Sequence, residues 1–259
     1  MAGVITGSSG GLPPRRTQRA PARRSQSPTF HLRLVGGFAA TRDGHTIRLP
    51  AASRRLVAAT ALHAGPIPRL VAAERLWPHL EPRSALSSLR TALFRLSAGS
   101  ALLDTGPGYI AIAADVEVDV RGLEAFARRL IDGPVLDTDA EESIRRLTMA
   151  ILPDCDDDWL RLERDRLRDM FLHAIEAHAT RLAAAGSYAH ALEAAHTALA
   201  ADPVRETAAA TLIAIHLAEG NRPQAVRTYR DFRKRLRAII DVEPADELRA
   251  LVAPYLTLG

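Results

Sequence analysis

Apolar and polar positions alternate with different periods along the chain, and the change of period divides it into a mixed first part and a helical second part. Between 30 and 49, strand-like alternation lies on both sides of a turn at Asp43 and Gly44, which predicts a small antiparallel sheet. Apolar residues at helical spacing follow, interrupted by glycine and proline. They predict helices over 53–63, with Ser53 as the N-cap, over 68–77 and over 83–98.

The helix predicted over 83–98 has two chemically different faces. At about 100° per residue, one arc collects Ala85, Leu86, Leu89, Ala92, Leu93 and Leu96. The opposite arc carries no carboxylate and consists of Arg83, Ser87, Arg90, Thr91 and Phe94, with Ser88 and Arg95 on its flank. A two-stranded ribbon with a tight turn is predicted after it, over 101–112. This order is typical of a winged helix that reads duplex DNA, although an ordinary amphipathic helix with a solvated basic face would give the same wheel.

From 118 onward the spacing of apolar residues is helical almost throughout. Helices are predicted over 119–131, 139–152, 158–185, 188–200, 204–219, 223–240 and 246–256. The segments that begin at Gly186 and Gly220 are 34 residues apart and align Ala191 with Ala225. A 34-residue helix pair with small residues at the crossing is the tetratricopeptide signature. We therefore expect a mainly α protein with a small β component, in which an N-terminal winged helix-turn-helix is followed by an all-α, tetratricopeptide-like domain.

Charge is distributed unevenly between these parts. Residues 1–112 hold 15 arginines and 4 acidic residues, a net +11, whereas the remaining 19 basic and 26 acidic residues give −7, and together these make the net charge of +4. A basic first half suits a polyanionic partner. We divide the chain into a disordered basic arm over 1–28, a winged-helix domain over 29–114 and a helical domain over 115–259. The arm either touches phosphates or is a solvated tail, and a misassigned start would also explain it.

Few residues suggest catalysis or cofactor binding. The one cysteine, Cys155, excludes an internal disulfide and a cysteine-based zinc site. The aspartates between 154 and 158 are nearly consecutive and cannot all converge on one ion, so no metal is expected, and Asp158 is interpreted as the cap of the next helix. No Ser/His/Asp arrangement or carboxylate pair suggests an enzyme, and no cofactor is expected. No apolar run reaches the roughly 18 residues of a membrane span, and no secretory signal is recognised. A cytoplasmic, nucleoid-associated location is expected from the predicted DNA binding.

Several short strings, taken in their order, resemble the SARP-type bacterial transcriptional activators. They are Arg-Leu-Trp-Pro at 75–78, the segment 88–96, Gly-Pro-Gly-Tyr at 106–109, the segment 152–160, Arg-Leu-Glu-Arg at 161–164, Ala-Asp-Pro at 201–203, the segment 216–221 and Val-Glu-Pro at 242–244. The resemblance covers roughly residues 30–255. It implies an OmpR/PhoB-like winged helix and a bacterial transcriptional activator domain, in a regulator of secondary metabolism. The chain departs from many relatives at 97–99, where Ser-Ala-Gly stands in place of further arginines, and it carries no Gly-Lys-Ser/Thr phosphate loop.

The helix over 83–98 is expected to enter the major groove of DNA. Its predicted base-reading residues are Ser87, Arg90, Thr91 and Phe94, since arginine bonds guanine O6 and N7 together and phenylalanine can contact a thymine methyl. For Phe94, packing against the wing or a second protomer is an equal alternative. Phosphates are expected to be held by Arg54, Arg55, Arg69, Arg83, Ser88, Arg95, Thr105 and Tyr109. Packing of the Tyr109 ring on the sheet is the alternative for that residue.

The predicted partner is double-stranded DNA carrying promoter repeats, bound by a homodimer because a single module of this size binds weakly. With about four to six phosphates neutralised per protomer, the log–log salt slope would be about −4 to −5. The resemblance implies direct repeats near the polymerase site and contact with RNA polymerase. The helical domain is expected to serve dimerisation, contact with the first domain or effector binding. The alternative function is a tetratricopeptide-like adaptor without specific DNA binding.

Overall fold

The computed structural model describes residues 29–97, 101–133 and 140–256, together with Gly3, so the arm predicted over 1–28 otherwise lies outside the described residues. The strands are β1 (Phe30–Arg33), β2 (Ala39–Arg42), β3 (His45–Thr46), β4 (Ile67–Pro68), β5 (Leu103–Asp104), β6 (Tyr109–Ile112) and β7 (Val116–Val118). The helices are α1 (Ala51–Leu62), α2 (Arg69–Leu76), α3 (Pro82–Ser97), α4 (Asp119–Asp132), α5 (Ala140–Leu147), α6 (Asp158–Ala184), α7 (Tyr188–Ala201), α8 (Glu206–Ala218), α9 (Arg222–Ile240) and α10 (Asp246–Leu256). Within this part of the chain, no helix combines the length and apolarity needed to cross a bilayer.

The first sheet has the strand order β3-β2-β1-β7. Its antiparallel part is the predicted one, and Asp43 (φ +48°) and Gly44 (φ +81°) are both left-handed in the hairpin turn, as a two-residue turn between twisted strands requires. On the other side of β1 lies β7, which pairs with it in parallel. The sequence pattern did not predict this strand. Strand β7 lies after residue 114, so the sheet of the winged-helix part extends into residues that the sequence pattern places in the helical domain.

The second sheet has the order β4-β6-β5, and α1, α2 and α3 pack beside it around buried Leu56, Leu76, Leu89 and Ile110. The three predicted helices and the ribbon are confirmed. The predicted capping role of Ser53 is wrong. Helix α1 begins after Pro50 without a side-chain cap, and Ser53 is fully buried, where its hydroxyl donates to the carbonyl oxygen of Ala92 in α3 at 3.0 Å. Ser53 therefore joins two helices of the core.

The 34-residue period corresponds to two stacked helix pairs, α6 with α7 and α8 with α9. Gly186 and Gly220 lie between the helices of each pair in left-handed conformation, with φ +77° and +88°, which lets the preceding helix end in a tight, hydrogen-bonded turn. The aligned residues Ala191 and Ala225 are completely buried, so the small side chains let the helix axes approach. The tetratricopeptide-like second half and the mainly α fold are confirmed.

Two details of the helical half differ from prediction. Helix α5 ends at Leu147 rather than at Leu152, because the residues after it hydrogen-bond to the chain that follows β1. The amide of Gly36 donates to the carbonyl of Ala150, and the amide of Leu152 donates to the carbonyl of Leu34, both at 2.8 Å. The N-cap of α6 is Asp157 rather than Asp158, and it makes no side-chain capping bond.

Candidate nucleic-acid interface

Helix α3 is anchored by its apolar face. Ala85, Leu89 and Ala92 are at most 1% exposed and Leu96 is 5% exposed, while Leu86 and Leu93 are half-buried. The helix packs against α1 and α2. These contacts fix its rotation about its own axis, so the opposite face is held outward by the packing of the core.

The four predicted base-reading residues lie together on that outward face. Ser87, Arg90 and Thr91 are exposed, and the side chain of Phe94 is 78% exposed. Among the described residues, the guanidinium of Arg90 forms no ion pair or hydrogen bond, whereas the Thr91 hydroxyl donates to the carbonyl of Ser87 at 3.1 Å. The face thus offers one extended cationic donor, two small hydroxyls and an aromatic ring at successive helical turns.

Arginines mark both ends of the same helix. Arg83 in the first turn and Arg95 in the last turn are exposed, and neither forms an ion pair with any residue that the structure describes. Ser88 is half-buried on the flank. Because α3 contains no acidic residue over Pro82–Ser97, its three guanidinium groups, spread over about 18 Å of the helix axis, meet no carboxylate of the same helix.

The predicted wing is formed by β5 and β6, with Leu103 opposite Ile112. Thr105 is exposed in its turn. The ring of Tyr109 lies over Gly106, where an added Cβ would come within 2.0 Å of it, and the Tyr109 hydroxyl donates to Asp104 at 3.3 Å. The tyrosine is therefore packed across the wing turn rather than on the sheet.

The remaining predicted phosphate contacts lie beside the wing or on α1. The amide of Arg69 donates to the carbonyl of Gly108 in the wing at 2.9 Å, and its half-buried side chain has an Nε with no acceptor among the described residues. Arg54 is exposed. Arg55 instead bonds Asp157 through Nε at 2.6 Å and donates to the carbonyl of Leu76, so its charge is already used within the protein.

This Arg55–Asp157 pair is part of a seam between the winged helix and the helical half. In the same seam Arg75 of α2 stacks on the ring of Trp159, 5.3 Å from its centroid, and bonds Glu163 at 2.9 Å. Burial alone would raise the pKa of Glu163, but hydrogen bonds from Arg75 and Arg166 outweigh it and lower that pKa below its ordinary value. The seam is thus held by charged groups that are substantially withdrawn from water.

Backbone contacts reinforce the seam. The carboxylate of Asp119 accepts from the amides of Leu34 and Val35 at 2.9 and 3.1 Å. The guanidinium of Arg164 donates to the carbonyls of Ile151, Leu152 and Cys155. The Arg164 bonds, together with the backbone bonds to Leu34 and Gly36, fix the segment 150–157 between the chain after β1 and α6. The orientation of α3 relative to the helical half is therefore set by hydrogen bonds rather than by a free linker.

Sequence reasoning did not identify these seam residues as partners. Arg75, Trp159 and Arg164 lie within the strings that suggested the family, but nothing in one sequence pairs an arginine with an aromatic ring 84 positions away. The one available signal was the presence of arginines, such as Arg75 and Arg164, within segments that are otherwise partly apolar.

Comparisons with known proteins agree with this architecture. The chain joins a basic winged helix to a tetratricopeptide-like array, and the match of its helical part to a transcriptional activator family supports the class of transcription regulators. Residues 127–254 match the model of the family described as "Bacterial transcriptional activator domain". This match supports the resemblance to SARP-type bacterial transcriptional activators, which is confirmed.

A solved structure supports the same fold over nearly the whole chain. EmbR of Mycobacterium tuberculosis, in complex with a low-affinity phosphopeptide, superposes with a TM-score of 0.62 and 21% sequence identity over 90% of this chain. This chain spans 66% of the length of that one. A comparison with curated protein sequences gave no match.

Proposed function

We propose that the protein is a sequence-specific DNA-binding activator that inserts α3 into the major groove. The observation that carries the proposal is the outward face of α3, which is exposed, free of carboxylates and provided with guanidinium groups that the described protein does not neutralise. The major groove is wide enough for one helix. Exposed guanidinium groups with no carboxylate beside them on the helix complement the phosphates that line the groove.

The roles within the interface follow from position. Arg90, at the centre of the face, would donate to guanine O6 and N7, and Ser87, Thr91 and Phe94 would contact neighbouring base edges. Arg83 and Arg95, at the two ends, would hold phosphates and set the register.

The wing side adds weaker contacts. Thr105 and the part-buried Arg69 are the candidates there, together with Ser88 on the flank of α3. With Arg55 bound to Asp157, the cations available for phosphates are fewer than the sequence suggested. A log–log salt slope of about −3 to −4 per protomer is therefore expected.

The proposed partners other than DNA are inferred from the resemblance to the family. SARP-type regulators act at promoters, which supports binding of two protomers to direct repeats and contact between the helical half and RNA polymerase, in the cytoplasm. The size of the module supports the dimer, because one winged helix contacts few base pairs. Footprinting with and without polymerase on the selected DNA site would test both statements.

The primary experiment is selection of duplexes from a random library by the full chain, followed by affinity measurement at several salt concentrations. We expect a recurring motif, a salt slope within the range above, and roughly tenfold or greater loss of affinity for the motif in Arg90→Ala. Arg121→Ala, an exposed arginine of α4, is the matched control and should bind like the wild type. Absence of any enriched motif would favour the adaptor function.

A further inference from the structure

A cavity of about 390 Å³ opens at the seam between the two halves of the chain. One wall is the start of α1 with the loop at Gly37 and Phe38, and the other wall is the segment that runs from Leu152 to Asp157. Small-molecule sites have volumes of roughly 300 to 1,000 Å³ and occur preferentially at such boundaries. Neither the DNA-binding face nor the tetratricopeptide-like packing accounts for this space.

The floor of the cavity is apolar and firmly held. Ala58 and Leu152 are 3% and 4% exposed, and Phe38 packs against the same core. Leu152 is in the left-handed conformation, with φ +48°, and its amide is bonded to the carbonyl of Leu34. A floor fixed in this way is preformed, so an apolar group can bind without reorganising the protein.

The rim carries opposite charges on opposite walls. On the α1 side lie Arg54 and the helix N-terminus, which has no side-chain cap and presents partial positive charge. On the other side lie Asp154 and Asp156, both exposed. Among the described residues, none of these three side chains forms an ion pair or hydrogen bond. An Asp154 carboxylate oxygen stands 3.9 Å from where a Cβ on Gly37 would lie, at the mouth.

The second pair of charges at the cavity is satisfied without a ligand. Arg55 and Asp157 bond each other at 2.6 Å, and the thiol of Cys155 donates to the same carboxylate at 3.5 Å. The unpaired groups are therefore one cation on one wall and two anions on the other, above an apolar floor.

We propose that this cavity binds a small zwitterionic amphiphile of about the size of an aromatic amino acid. Its apolar part would cover Phe38, Ala58 and Leu152, its carboxylate would face Arg54 and the start of α1, and its ammonium group would lie between Asp154 and Asp156. Such a ligand touches both halves of the chain and would stabilise their present arrangement. The inference goes beyond DNA binding and does not depend on it.

The test uses the full chain and two probes, L-phenylalanine and L-tryptophan. Each is titrated by calorimetry to about 10 mM, which would give nearly complete occupancy at a Kd of about 1 mM. Cys155, the one thiol of the chain, lines the cavity and supplies an independent reporter, since a bound ligand should slow its alkylation by iodoacetamide, followed by intact mass. We expect one-to-one binding and slower alkylation for at least one of the two probes.

Variants of the rim residues and analogues of the ligand test the contacts of the two ligand charges one at a time. Arg54→Ala and the double variant Asp154→Asn, Asp156→Asn should each weaken binding roughly tenfold, whereas exposed controls Arg121→Ala and Asp165→Asn should not. Phenethylamine and phenylacetate, each lacking one charge, should bind correspondingly more weakly. The proposal is overturned if neither amino acid gives heat or protects Cys155, or if binding is insensitive to the rim variants. Since no DNA is present, failure of the proposed DNA-binding function would not affect either result.

Discussion

Removing the guanidinium of Arg75 should destabilise the whole protein, because that group holds the winged helix to the helical half. Its ion pair with Glu163 has side chains only 21% and 16% exposed, and its stack on Trp159 is 5.3 Å from the ring centroid. A partly desolvated cation–π contact contributes about 1 kcal/mol, and a hydrogen bond between charged groups contributes about 1.5–3 kcal/mol.

The sum of these two contributions overstates the free energy of unfolding that Arg75→Ala should lose. Glu163 keeps a second partner, Arg166, at 3.1 Å, so its carboxylate is not left buried and unpaired. We therefore expect the free energy of unfolding to fall by about 2–3 kcal/mol. Arg75→Lys retains the charge but loses the planar stack, and an intermediate loss of about 1 kcal/mol is expected.

The assay is equilibrium urea unfolding followed by tryptophan fluorescence, since Trp159 lies in the seam itself. Arg121→Ala is the control, because substitution of an exposed arginine away from such contacts should change the free energy of unfolding by less than about 0.5 kcal/mol. If the free energy of unfolding of Arg75→Ala equals that of the control within error, the contacts of Arg75 do not hold the two halves together.

Three further predictions concern buried or tightly packed groups. Burial lowers the pKa of the His216 imidazole below its ordinary value of about 6.5, so its contribution to stability is present above that pH and is lost as the pH falls below it. His216→Leu should flatten the dependence of the urea midpoint on pH in this range. Glu176, 7% exposed, accepts from Arg205 at 2.7 Å, and Glu176→Ala should cost about 1.5–3 kcal/mol in the same unfolding assay, because a charged hydrogen bond is lost while Arg205 keeps Asp169 at 3.2 Å. Gly106→Ala should lower the Tm by displacing the ring of Tyr109, and the double change Gly106→Ala, Tyr109→Ala should show no additional penalty from the alanine at 106. An unchanged pH profile, a loss below about 1 kcal/mol or additive Tm shifts would contradict the respective predictions.

The parts of the fold that local sequence determines were predicted well. The wheel of α3 separated buried Leu89 from exposed Arg90, because helical periodicity alone decides which side chains share a face. The glycines at 186 and 220 marked helix ends, because a left-handed residue is needed there.

The parts that depend on distant partners could not be predicted. Ser53 has the chemistry of an N-cap, yet its hydroxyl bonds Ala92 in another helix. The helical pattern continues past Leu147, yet the chain leaves the helix because residues 150–152 pair with Leu34 and its neighbours. Likewise Arg55 has the position of a phosphate ligand on α1, yet its guanidinium bonds Asp157, 102 positions away. Propensity is a weak guide wherever tertiary contacts compete for the same groups.

The central claim is that Arg90 meets a guanine edge in the major groove, and methylation interference at guanine N7 tests it most directly. On the selected DNA site, we expect at least one guanine whose N7 methylation blocks binding of the wild-type chain but does not further weaken binding of Arg90→Ala, since that contact is already gone. Interference confined to minor-groove adenine N3, or equal interference for both proteins at every guanine, would contradict it.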